Sequence, residues 1–196
     1  MSSETRSSGD GVQSGVVGKR KPLNDTIYLA PYNPAWPAMF SELAGRVRDA
    51  LSERALLLEH VGSTSVEGLS AKPIIDMLLI VADSSQETTY VPPLEARGFA
   101  LRRREPEWFE HRLLKSTDIK ANLHVFSTEC PEIDRMLTFR DWLRANPEDR
   151  LLYEDAKRKL AAQTWRFVQD YADAKTGIIA KILGRARRGA GTGEAE

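Results

Sequence analysis

Asp76 is the residue whose surroundings demand a chemical explanation. It stands within Ile74-Ile75-Asp76-Met77-Leu78-Leu79-Ile80-Val81, an apolar run that reads as a central strand. Side chains alternate along a strand, so Ile74, Asp76, Leu78 and Ile80 share a face. A carboxylate among three aliphatics is costly when desolvated and unpaired. It needs a cation, a metal or an exit to solvent; a structural pair with Lys72 or an arginine would meet the same need. Upstream lies Gly62-Ser63-Thr64-Ser65-Val66-Glu67-Gly68-Leu69, a loop of mostly small residues. Gly62 lets the backbone approach a ligand closely. Ser63, Thr64 and Ser65 add hydroxyls to the backbone N–H groups, a combination that can cradle phosphate oxygens. An ordinary turn has the same composition. The loop lacks the glycine-lysine-serine/threonine ending of a P-loop and is not a dinucleotide fingerprint.

A bound phosphate chain requires several cations. Lys72 immediately precedes the Asp76 strand, and Lys157 and Lys175 fall on later helical segments that could close over it. Tyr171 and Lys175 are spaced i, i+4, offering a ring and an ammonium from one patch. Arg140 and Arg144 share a helix face, and Arg112 follows Trp108-Phe109 and could line a cleft. His124 alternates with Asn122 and Phe126 on one strand face, and His60 directly precedes the loop. His111 has no partner that the sequence identifies. Each of these also reads as a structural or solvated residue.

The elements that must position these groups follow from periodicity. Asn33 as N-cap and Pro34 at the first position open a helix, with Trp36, Phe40, Leu43, Val47 and Leu51 along its apolar face. Ala55 to Val61 reads as a strand before the loop. Pro92-Pro93 delays a short helix to about 93–97, ended by Gly98. Phe99 to Arg104, Trp108 to Lys115 and Lys120 to Phe126 are candidate strands. Ile133, Met136, Leu137, Arg140 and Leu143 mark a helix ending near Asn146-Pro147. A second runs from about Glu148 to Gln163, and a third from about Phe167 to Leu183. Helix, mixed sheet and a helical C-terminal layer make an α+β domain. Residues 1–22 and 186–196 read as disordered tails around a domain over 23–185.

The 196 residues favour one domain with a hydrophobic core. Lysine plus arginine equal aspartate plus glutamate at 28 each, so no global charge draws nucleic acid or an acidic membrane, and neither is expected as a partner. Cys130 is the single cysteine, which excludes an intramolecular disulfide and fits a reducing cytosol. There is no membrane-length apolar run and no signal-peptide core, so a cytoplasmic location is expected. A homo-oligomer is compatible with the sequence.

Gly62-Ser63, a dozen residues and then Asp76 on an apolar strand together resemble the nucleotidyltransferase superfamily. There a Gly-Ser turn holds triphosphate and carboxylates on the next strand hold divalent metal. The resemblance narrows through Pro31-Tyr32-Asn33-Pro34-Ala35-Trp36-Pro37, Glu59-His60-Val61-Gly62-Ser63-Thr64-Ser65-Val66, Gly68-Leu69 and Ala71-Lys72-Pro73-Ile74-Ile75-Asp76. Further matches are Asn122-Leu123-His124-Val125, Phe139-Arg140-Asp141-Trp142-Leu143-Arg144, Tyr153 with Lys157, and Tyr171 with Ala174-Lys175. Across about residues 27 to 183 the chain is similar to the GrpB-like family. This implies a nucleotidyltransferase-like mixed sheet with an N-terminal helix and a helical C-terminal layer.

It also implies a nucleoside triphosphate, ATP or another, with magnesium or manganese and a small-molecule acceptor. Asp76 and His124 become the candidate catalytic residues, and Asp76, His124 and Glu59 the candidate metal ligands. Gly62, Ser63, Thr64, Ser65, Lys72, Lys157, Tyr171 and Lys175 become the phosphate or nucleotide site. His60, Arg112, Asn122 and Arg140 become acceptor-binding candidates. One departure matters: the superfamily usually carries a second carboxylate two residues after the first, where this chain has Leu78. The expected reaction is nucleotidyl transfer, or adenylation of a carboxylate leading to amide formation. The alternative is a non-catalytic nucleotide- or metabolite-binding or accessory module. A purely structural interaction protein leaves Asp76 unexplained.

Overall fold

The computed structural model describes Gly15 and residues 22–191; the rest of the two expected tails lies outside the described residues. The first helix, α1, runs Trp36–Leu51. It begins two residues beyond Pro34 because Asn33-Pro34-Ala35 forms a turn, in which the Asn33 side chain accepts a bond from the Ala35 N–H at 2.9 Å. Leu43, Ala44, Val47 and Leu51 are fully buried along one face of α1, as the spacing predicts.

Five strands follow: β1 Leu57–Val61, β2 Ile75–Val81, β3 Phe99–Glu105, β4 His111–Ser116 and β5 Ala121–Ser127. They form one sheet in the order β1-β2-β5-β4-β3. Only β2 and β5 are parallel; the other pairs are antiparallel. The Asp76 strand thus lies inside the sheet, which explains why it is apolar on both faces. The short helix α2, Val91–Glu95, starts earlier than expected. Pro92 and Pro93 sit in its first turn, where the missing N–H groups need no partner, so they open the helix instead of delaying it. Trp108 and Phe109 belong to the β3–β4 turn rather than to a strand, and Phe109 and Glu110 there have φ of 53° and 51°.

The C-terminal layer consists of α3 Pro131–Ala145, α4 Pro147–Ala161, α5 Val168–Ala174 and α6 Thr176–Gly191. The single helix expected over 167–183 is broken at Lys175, whose N–H turns back to Ala172 and Asp173 instead of continuing the i→i−4 ladder. Helix α6 continues to Gly191, so the tail expected from residue 186 is helical over its first turn and a half. No helix among the described residues is long and apolar enough to cross a membrane.

The expected α+β architecture, a mixed sheet with an N-terminal helix and a helical C-terminal layer, is therefore the observed one. One sheet face, with Ile75, Met77, Leu79, Leu123 and Val125, packs on α1 and α2. On the other face, Val61, Leu78, Ile80 and Phe126 pack on Ile133, Met136 and Leu137 of α3. A third cluster joins Val66 and Leu69 of the loop to Leu143, Tyr153 and Ile182, tying the loop to α3, α4 and α6.

Candidate functional site

Strand register brings the site together. Asp76 lies opposite Val61 on β1 and opposite Asn122 on β5, and Leu78 lies opposite Glu59 and His124. Directly paired residues share a face, so Asp76, Asn122 and His124 project together from the side that carries α3. Gly62, next after Val61, starts a single 3-10 turn over Ser63–Ser65. Its φ of +68° is left-handed, and a Cβ there would stand 2.6 Å from Asp76 Oδ2. The turn is thus pressed against the carboxylate, as only glycine permits.

Asp76 is half-exposed rather than sealed in: its side chain keeps 31% of its accessibility. Oδ1 accepts a bond from Asn122 Nδ2 at 2.8 Å. His124 Nε2 is 3.9 Å from the same oxygen.

Three lysines surround this point. Lys157, on α4 and only 2% exposed, donates to Ser63 Oγ at 3.2 Å and to the Ser70 carbonyl. Lys72 and Lys175 both lie over the Tyr171 ring, at 5.6 and 4.9 Å from its centroid. Burial lowers the ammonium of Lys157 to about 7 and that of Lys72 to about 8, with neighbouring Lys175 adding to both shifts. Burial also lowers Lys175, against the pull of Asp76. None of the three forms an ion pair among the described residues. The Tyr171 hydroxyl is buried and has no hydrogen-bond partner among them. The break between α5 and α6 places Lys175 in this cluster, and the Tyr153 hydroxyl reaches Ser63 from α4.

Other expected site residues support the turn from behind. Thr64 and Ser65, expected as phosphate ligands, spend their hydroxyls locally. Thr64 Oγ1 meets His60 Nε2 at 3.0 Å, and Ser65 Oγ donates to the Gly62 carbonyl at 2.6 Å. His60 stacks on Phe40 with centroids 4.8 Å apart, and burial pushes it down to about 4. It faces α1, away from Asp76's side of the sheet. Arg140 donates to Glu59 Oε2 at 2.6 Å and to the His60 carbonyl at 3.0 Å. Arg144, which the sequence showed only as sharing Arg140's face, clamps the Ser65 carbonyl at 2.9 and 3.1 Å. Arg112 lies opposite Val125, on the α1 face, and bonds Glu87 at 2.6 Å, so the structure does not bring it to Asp76.

The expected metal triad does not assemble. Glu59 is committed to Arg140, and no group of three or more His, Cys, Asp or Glu among the described residues could hold a metal by itself. Asp76 alone fits a cation of the kind that takes one carboxylate and completes its shell with phosphate oxygens and water. His111 and Glu105, which the sequence left without a role, adjoin His124 instead: His111 Nε2 is 3.1 Å from His124 Nδ1, and His111 Nδ1 is 2.7 Å from Glu105 Oε2.

A Gly-Ser turn pressed against a carboxylate on the next strand, in a mixed sheet between helical layers, defines the α+β domain. The chain belongs to the GrpB family: the family model described as GrpB protein matches residues 26–185. UPF0157 protein BH1888 of Halalkalibacterium halodurans is 56% identical over 185 residues, 94% of this chain and 95% of that protein. The crystal structure of the conserved protein GrpB from Enterococcus faecalis superposes with a TM-score of 0.71 at 32% identity, over 83% of this chain and 99% of that one. A dephospho-CoA kinase of Mycolicibacterium paratuberculosis is 30% identical over 158 residues, 67% of this chain but 39% of that protein.

Proposed function

We propose that the protein binds a nucleoside triphosphate, ATP or a close relative, with magnesium or manganese at Asp76, and transfers its nucleotidyl group to a small-molecule acceptor. The observation that carries this reading is the set of three desolvated ammonium groups, Lys157 buried and Lys72 and Lys175 half-buried, with no ion-paired carboxylate among the described residues. Unpaired buried cations are costly, and a polyanion is the ligand that relieves that cost. The orphaned Tyr171 hydroxyl supports the same ligand, since it can donate to a phosphate oxygen.

In this reading the Gly62–Ser63 backbone and Ser63 Oγ hold phosphate beside Lys157. Lys72 and Lys175 neutralise the charge that builds on the departing pyrophosphate. An acceptor oxygen or nitrogen attacks the α-phosphate, its bond to phosphorus forms as the bond to pyrophosphate breaks, and the acceptor's proton is lost. When the acceptor is a carboxylate, no proton is lost in forming the adenylate, and an amine can then take the acyl group to give an amide as the acyl–phosphate bond breaks, releasing AMP and the amine's proton. A bound divalent ion would supply charge neutralisation at the phosphates.

The test is ATP with magnesium or manganese and a pool of small metabolites, read by pyrophosphate release. Release that disappears in Asp76→Asn supports the transfer. A second reading, a non-catalytic nucleotide-binding or accessory module, draws on Leu78 being fully buried and on the similarity to part of a longer dephospho-CoA kinase. Tight ATP binding without turnover across many acceptors favours it. Absence of nucleotide binding by calorimetry with metal present sinks both.

A further inference from the structure

A chain of polar side chains crosses four strands on the Asp76 face. Glu105 ends β3, His111 begins β4, His124 lies on β5 and Asp76 on β2. Arg103 Nη1 bonds Glu105 Oε1 at 3.1 Å, leaving Oε2 to His111 Nδ1 at 2.7 Å. His111 Nε2 then meets His124 Nδ1 at 3.1 Å. The two imidazoles are 21° from coplanar with centroids 5.2 Å apart, as an edge-to-edge N–H···N bond requires. Phe126, at 4.7 Å, and the edge of Trp108, at 5.0 Å, hold the His111 ring in place.

Proton positions follow from the acceptor at one end. Burial alone would raise the Glu105 carboxyl, but the bond from His111 and the charge of Arg103 outweigh it and hold the group below its usual range. Ionised Glu105 can only accept, so His111 Nδ1 carries a hydrogen. With its one hydrogen on Nδ1, His111 offers a bare Nε2, and His124 then donates to it from Nδ1. The remaining nitrogen, His124 Nε2, then has no hydrogen. It makes no hydrogen bond among the described residues and stands 3.9 Å from Asp76 Oδ1.

We infer that Glu105 and His111 are positioning residues that fix the tautomer of His124, holding the lone pair of its Nε2 beside the Asp76 carboxylate. A set of histidines serving only to satisfy one another would not end on an open acceptor at the candidate site. Resting on the transfer reading above, the consequence is a constraint on the acceptor. Two acceptor atoms side by side repel one another unless a donor or a cation lies between them, so where the cation at Asp76 does not fill that gap the acceptor presents an O–H or N–H there. An alcohol or an amine fits, and an ionised carboxylate does not.

The experiment is long-range proton–nitrogen NMR on uniformly labelled full-length protein without ligand, near pH 8, where ordinary imidazoles are neutral. In the wild type, His124 Nε2 is expected to be pyridine-like and Nδ1 pyrrole-like. In His111→Phe, which keeps a ring against Phe126, the balance shifts so that Nε2–H becomes the major form. Glu105→Leu shifts it the same way, and a dispersed amide spectrum reports that each variant is folded. A wild-type His124 carrying its hydrogen on Nε2 overturns the inference whether or not either variant folds. So does a His124 tautomer unchanged in both folded variants. The inferred tautomer in a protein that never releases pyrophosphate supports this inference and sinks the transfer reading.

Discussion

Gly62 and Asp76 occupy space that a single added carbon would close: a Cβ at residue 62 would lie 2.6 Å from Asp76 Oδ2 and 3.0 Å from its Cβ. The left-handed φ of +68° and the contact act together. Gly68 serves as the control, since it has a similar φ of +77° but nothing within 4 Å of its Cβ position. Gly68→Ala should therefore cost only the backbone strain, about 1–2 kcal/mol. Gly62→Ala should cost more, and it alone should displace Asp76 and abolish ATP binding. Thermal unfolding and calorimetry on both variants check this. Equal stability losses with ATP binding retained would mean that the close approach is incidental.

Lys157 makes a second prediction, in which site and stability pull in opposite directions. Its ammonium falls from 10.5 to about 7 on folding, chiefly through burial. Between those values the unfolded chain holds more protons than the folded one, so wild-type stability rises with pH across the window. The cost is fully present below it. Lys157→Met removes that dependence. Its stability relative to wild type should be greatest near pH 6 and should fall by up to about 1.4 kcal/mol per pH unit above 7. Urea unfolding at three pH values measures the slope. The same variant should bind ATP at least about tenfold more weakly, the loss of one charge-assisted bond.

His60 behaves with the same sign in a lower window. Burial takes it to about 4 from 6.5, so the unfolded state binds the extra proton first as pH falls. Its neutral form contributes stability that is complete above pH 6.5 and lost progressively toward 4. In His60→Gln the steepness of acid unfolding between these values should decrease by about one proton. An unchanged slope would mean that the ring between Phe40 and Thr64 is not desolvated. His124 contributes in the same direction in both proteins, so the comparison isolates His60.

The parts of the site that were legible in the sequence are local. The Gly62–Ser65 turn and Asp76 are near in sequence, and strand alternation places them. The α+β order of elements follows from periodicity for the same reason. What was not legible depends on register or on distant partners. Glu59 has the parity to face Asp76's side of the sheet, yet Arg140, 81 residues away, takes its carboxylate. His111 has no visible partner until the β3–β4 and β4–β5 pairings bring Glu105 and His124 to its two nitrogens. Pro92-Pro93 reads in the sequence as delaying the helix, whereas the packing of Val91 and Leu94 in the core with α1 fixes its start at Val91. The break at Lys175 leaves no strong mark in a periodic stretch, although Thr176-Gly177 immediately follows it.

Leu78 yields the last prediction, because it occupies the position where a second carboxylate is usual in the superfamily that the chain resembles. It is fully buried among Val61, Ile80, Phe126 and Ile133, against α3. His124 lies opposite on β5, but its bare Nε2 cannot donate to a carboxylate, and Glu59 opposite on β1 would add a like charge. Restoring the acid should therefore not create a two-carboxylate site. Leu78→Asp should destabilise the protein by about 3 kcal/mol or more, from a lost core side chain and a desolvated charge without a partner. Leu78→Ala, which makes only the cavity, should cost about 2–4 kcal/mol. If Leu78→Asp were instead as stable as wild type and bound manganese more tightly, the α3 side of the sheet would be open enough for two-carboxylate chemistry. The single-carboxylate reading of Asp76 would then fail.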